Sequence, residues 1–70
     1  MKVRLKPANL RRILAEKNMT ETQLIRRSQI SDGYLSQLMR GIRNPSPKLR
    51  QRFMRILGVT NFNVLFQLQS

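Results

Sequence analysis

The stretch Met19–Gly41, MTETQLIRRSQISDGYLSQLMRG, decides the fold. Thr20 with Gln23 three residues on predicts a capping box, in which the two side chains reciprocally satisfy free backbone N–H groups at a helix start. Met19 and Leu24 bracket that start at the spacing of a hydrophobic staple. The helix is expected to end near Ser28 and Gln29. Ser31 then caps a second helix, with Asp32 at its positive dipole end. On this second helix Leu35, Leu38 and Met39 share one face. Gly33, Ser36, Gln37 and Arg40 lie on the opposite face, which carries no apolar side chain. A face of that kind is free to enter a groove.

Working outward, the chain reads as five helical segments with little linker between them. Residues 1–6 alternate apolar Val3 and Leu5 with basic Lys2, Arg4 and Lys6, the pattern of a short strand or of an extended basic arm. Pro7 suits a first helical turn, and Leu10, Ile13 and Leu14 then mark an apolar stripe that ends near Asn18. After the central pair, Gly41 supplies the left-handed residue that ends the third helix, and Ile42–Pro45 is a loop. Ser46-Pro47 reads as an N-cap followed by proline at the first position of a fourth helix. That helix buries Leu49, Phe53, Ile56 and Leu57 and stops at Gly58. A fifth, starting after Thr60 or Asn61, carries Phe62, Val64, Leu65, Phe66 and Leu68.

Seventy residues are the size of one small domain, and without cysteine its core must come from helix packing alone. Histidine is also absent, and Glu16, Glu21 and Asp32 are the only acids, so no metal site, cofactor site or catalytic constellation is expected. Fourteen basic residues against three acids give a net charge of +11. Ten of the fourteen are arginine, whose planar fork suits phosphate, so the expected partner is a polyanion. An anionic membrane is the weaker reading, because the basic residues are spread over several elements rather than along one amphipathic helix. With no apolar stretch of spanning length and no signal-peptide core, the expected location is cytoplasmic, on the nucleoid.

From Leu10 to Phe66 the chain resembles the helix-turn-helix domain of the phage lambda and 434 repressor and Cro proteins, the XRE family. The resemblance rests on the order and spacing of Met19-Thr20, Gln23-Leu24, Ile30-Ser31, Tyr34-Leu35-Ser36, Leu38, Arg40-Gly41, Arg43-Asn44-Pro45-Ser46, Leu57-Gly58-Val59 and Leu65-Phe66. It implies an all-α, compact five-helix lambda-repressor-like domain over 7–68, with the helix-turn-helix proper at 20–41 and residues 1–6 as a basic N-terminal arm. The chain departs from the family pattern at Ile25, commonly a small residue, and at Gln29, commonly glycine, which must then accept a left-handed or otherwise adjusted turn. Leu14 and Met39 stand where many relatives pair an arginine with a glutamate, which implies apolar contact in place of an ion pair.

The function so implied is sequence-specific binding of double-stranded DNA and repression or other control of transcription, as in phage and mobile-element regulators. Ser31, Asp32, Gly33, Ser36 and Gln37 are the expected base readers. Gln37 most naturally reads adenine, and Asp32 reads cytosine or merely complements the helix dipole. Thr20, Tyr34, Arg40, Arg43, Asn44 and Lys48 are expected at the DNA backbone, with Lys2 and Arg4 of the arm reaching a minor groove or a phosphate. Plainer roles stand beside these: capping for Ser31, core packing for Tyr34, solvation for the arginines. Phe62, Phe66 and Leu68 are expected to form a homodimer interface, since two reading helices one duplex turn apart specify a longer site. Three other readings stay open. They are an antitoxin-type protein with a protein partner, a DNA-bending excision or architectural factor, and a basic RNA- or ribosome-associated protein. The last is disfavoured by the scarcity of exposed aromatics.

Overall fold

The computed structural model describes residues 1–69, in the order β1 (Lys2–Leu5), α1 (Pro7–Glu16), α2 (Glu21–Ser28), α3 (Asp32–Met39), α4 (Pro47–Leu57), α5 (Phe62–Leu65) and β2 (Phe66–Gln69). The helix starts are local chemistry. The Thr20 hydroxyl accepts from the Gln23 backbone N–H at 3.1 Å while the Gln23 amide oxygen accepts from Thr20 N–H at 2.9 Å, which completes the capping box. Ser31 and Ser46 cap α3 and α4 by accepting from the N–H groups of Tyr34 and Leu49. Pro7 and Pro47 occupy first-turn positions, where a missing N–H costs nothing.

The first four helices end in one way. In each, a left-handed residue follows the helix and the next N–H reaches back five residues, closing a Schellman motif. Met19 N–H donates to Leu14, Ile30 to Ile25, Ile42 to Gln37 and Val59 to Met54, at 2.9, 3.2, 3.0 and 2.9 Å. The left-handed residues are Asn18, Gln29, Gly41 and Gly58, with φ of 54°, 61°, 74° and 65°. Of the two forms open to it, Gln29 thus adopts the left-handed turn, although it has a Cβ that disfavours the region.

The core joins all layers: Leu10, Ile13 and Leu14 of α1, Leu24 of α2, Leu35 and Leu38 of α3, Leu49, Phe53 and Leu57 of α4, then Leu5, Leu65 and Phe66. Leu14 is buried, and Met39 packs half-buried against the same cluster. Ser28 is the one buried polar residue among those described. Its hydroxyl donates to the Leu24 carbonyl at 2.6 Å, and Arg52 Nη1 of α4 donates to the Ser28 carbonyl at 3.2 Å, tying α4 to the end of α2.

Three expectations need correction. The fold is not all-α, because β1 and β2 pair antiparallel with Leu5 opposite Phe66 and Val3 opposite Leu68. Residues 2–5 take the first of the two forms their alternation allowed, a short strand, and it belongs to the domain rather than to a separate arm. The fifth helix is a single turn, and Phe66 and Leu68 lie in β2. A one-turn helix leaves its carbonyls without partners, and here the start of α1 supplies them. Lys6 Nζ donates to Asn63, Asn9 Nδ2 to Val64 and Lys6 N–H to Leu65, at 2.6, 2.9 and 2.8 Å. With those carbonyls taken, the alternating Phe66-Gln67-Leu68-Gln69 continues as a strand.

The third correction concerns Phe66, which is fully buried in the protomer's own core and offers nothing to a partner. Phe66→Ala should lower the unfolding free energy by about 3–5 kcal/mol in urea titrations. Gln29→Gly should raise it by about 0.5–1 kcal/mol, because the left-handed turn ceases to strain a Cβ. An unchanged midpoint in either variant contradicts the corresponding assignment.

Candidate nucleic-acid interface

Burial of Leu35 and Leu38 turns the other side of α3 outward, and Ser31, Asp32, Gly33, Ser36 and Arg40 are exposed there. Gln37 is half-buried beside them. The exposed face is thus continuous from the Ser31 cap to the end of the helix. No atom lies within 4 Å of a Cβ built on Gly33, so that position is open space rather than a packing requirement. Asp32, Ser36 and Arg40 also line an open groove of about 500 Å³ between α3 and the start of α2, with Arg11, Glu21 and Ile25 on its other walls. Ile25 is half-buried against the core, so the room it needs is found at this groove.

The residues expected at the DNA backbone lie in the elements on either side of α3 and at its end. Thr20 is exposed at the α2 start, where its hydroxyl is engaged in the capping box. Arg43 and Asn44 are exposed in the loop after α3, and Lys48 in the first turn of α4. Tyr34 is half-buried, packs on the core, and carries the Arg43 guanidinium 5.1 Å from its ring centroid. Arg43 Nε also donates to the Gln37 amide oxygen at 2.8 Å. Helical spacing on α3 does not reveal this Tyr34–Arg43–Gln37 cluster, because Arg43 lies off the helix.

Lys2 and Arg4 are held in β1 rather than on a free arm. The Arg4 guanidinium lies against Gly41, where a Cβ would meet it, so β1 and the end of α3 come together at a left-handed glycine. This places a cation at the negative end of the α3 dipole. Glu21 and Asp32, two of the three acids, sit in the first turns of α2 and α3, where they complement positive helix ends. The third, Glu16, pairs with Arg12 at 3.9 Å on an exposed part of α1. Of the proposed interface residues, Leu68 is 53% exposed, whereas Phe62 is half-buried and packs 5.4 Å from Phe66 between ring centroids.

Two capped helices joined by a left-handed turn, with the second presenting a polar face amid arginines, define a helix-turn-helix DNA-binding domain. The helix-turn-helix family model matches residues 10–60, and the chain belongs to that family, the XRE type of lambda-repressor and Cro-like sequence-specific DNA-binding regulators. No curated protein and no solved structure matches the chain significantly. Among the described residues no helix is long and apolar enough to cross a membrane.

Proposed function

We propose that the protein is a transcriptional repressor that inserts α3 into the major groove of double-stranded DNA. The observation that supports this best is the exposure of Ser31, Asp32, Gly33 and Ser36 along α3, with Gln37 half-buried beside them and Arg40, Arg43, Asn44 and Lys48 exposed in the segments that follow. Side chains on such a face reach base edges, while cations and helix N-termini around it meet phosphates and set the register. Thr20 and Tyr34 stand at its margins as backbone contacts. Arg4, packed on Gly41, adds a fixed cation at the far end of the reading helix. No cofactor is needed for such readout, and the place of action is the nucleoid. Selection of bound duplexes from a random pool tests this reading, and recovery of no common motif rejects it.

Reading and docking are separable. Gln37→Ala should cost about 1–3 kcal/mol at the selected site and relax the preference at one base pair. Lys48→Ala should weaken all duplexes about equally and reduce the slope of log K against log salt by about one. Titrations at several salt concentrations check both, and an unchanged motif for Gln37→Ala removes it from the readers.

Two copies are proposed to bind together, because one eight-residue helix spans only a few base pairs. Support for the contact lies in Leu68, exposed beside the half-buried Val3 on the apolar face of the β1–β2 pair, with Phe62 adjoining through the core. The charge of +11 on each copy opposes association off DNA. Leu68→Lys should therefore abolish cooperative binding to a palindromic site and leave the melting temperature nearly unchanged. Undiminished cooperativity excludes this interface.

A further inference from the structure

The Gln37 amide has an oxygen that accepts and a nitrogen that donates, and bidentate pairing with adenine needs both. In this structure the oxygen is already engaged. Arg43 Nε donates to it at 2.8 Å, and because arginine has no acceptor, the chemistry leaves no doubt which end of the amide faces it.

Arg43 is held there from two further sides. Its guanidinium lies over the Tyr34 ring, one helical turn before Gln37, at 5.1 Å. Its backbone N–H donates to the Gln37 carbonyl at 3.3 Å, alongside the 3.0 Å bond from Ile42 N–H that closes the Schellman turn. Loop, ring and amide thus hold one side chain against α3, and the donors left to this unit are the Gln37 Nε2 and Arg43 Nη groups, beside a positive charge.

We infer that Gln37 and Arg43 act as one reading unit whose preferred base is guanine. This deepens the major-groove reading proposed above and rests on it. Guanine offers two acceptors, N7 and O6, on its major-groove edge. The Gln37 Nε2 group and an Arg43 Nη group can donate to this pair of acceptors together. Adenine instead presents its N6 amino group where O6 would be, so donor would meet donor beside a full positive charge. Arg43 is therefore a specificity-determining residue as well as a phosphate-docking candidate, and it sets the choice by occupying the amide oxygen. Without it the amide is free to pair with adenine, the base that a lone glutamine favours.

The test uses the full chain and a duplex selected by it, with the base pair sensitive to Gln37→Ala varied through all four identities. The wild type should prefer guanine there by about tenfold or more over adenine. Arg43→Ala should lose that preference and bind the adenine duplex at least as well as the guanine duplex. Arg43→Lys, which retains the charge but lacks the planar fork, should also lose the preference while keeping the salt dependence. Melting curves of the variants should stay near that of the wild type, since the changed side chain is exposed. A wild-type preference for adenine overturns the inference. So does uniform weakening by Arg43→Ala with the base preference intact, and both outcomes leave the reading role of α3 standing. If the wild type discriminates no base at any position, that role falls as well.

Discussion

An eight-residue helix has little tendency to form alone in water, because nucleation is costly and few hydrogen bonds follow it. α3 exists because Leu35 and Leu38 are almost wholly buried against the common core. The same burial orients the helix, since side chains at three- and four-residue spacing share one face and leave the remainder outside. The stability of α3 and the exposure of its polar face are thus two consequences of one packing interaction. Anything that loosens Leu35 or Leu38 would loosen that polar face with them.

The chain termini reinforce this arrangement from a distance. Pairing of β1 with β2 sets Leu5 opposite Phe66, both buried, and seals the core at the end where a small domain has least to cover it. Lys6 and Asn9 take up the carbonyls of α5, so a turn too short to satisfy itself is completed by the start of α1. From β1, Arg4 reaches Gly41 at the end of α3. The N-terminal segment therefore packs against the end of α3.

Charge operates on a longer scale than any of these contacts. With ten arginines and four lysines spread along the chain from β1 to α4, attraction to a duplex is general, salt-dependent and indifferent to sequence. Discrimination between sequences has to come from groups that reach base edges. Here the placement of Glu21 and Asp32 at helix starts, and of Arg43 on Tyr34 and Gln37, gives the basic surface its local pattern.

Caps, turns and apolar stripes were legible in the sequence because their interactions span only a few residues. Thr20 with Gln23, Ser31 with Tyr34, Ser46 with Leu49, and the left-handed positions Gly41 and Gly58 are each written within a short local frame. The periodic leucines likewise announced which face of α3 would be exposed. The fate of the C-terminal segment was not legible. Phe62 to Leu68 suits a helix by composition, and the alternating Phe66 and Leu68 suits a strand equally well. Only contacts across 55 and 57 residues, from Asn9 and Lys6 to the α5 carbonyls, decide between them. The same holds for Phe66, which reads as an interface residue until β1 covers it, and for Arg43, whose loop position says nothing of Gln37. The sequence by itself determined the helices and their outward face, because local hydrogen bonds and side-chain periodicity are encoded residue by residue. The tertiary structure alone decided how the termini pair and which cation meets which amide, because those partners are brought together only when the core closes.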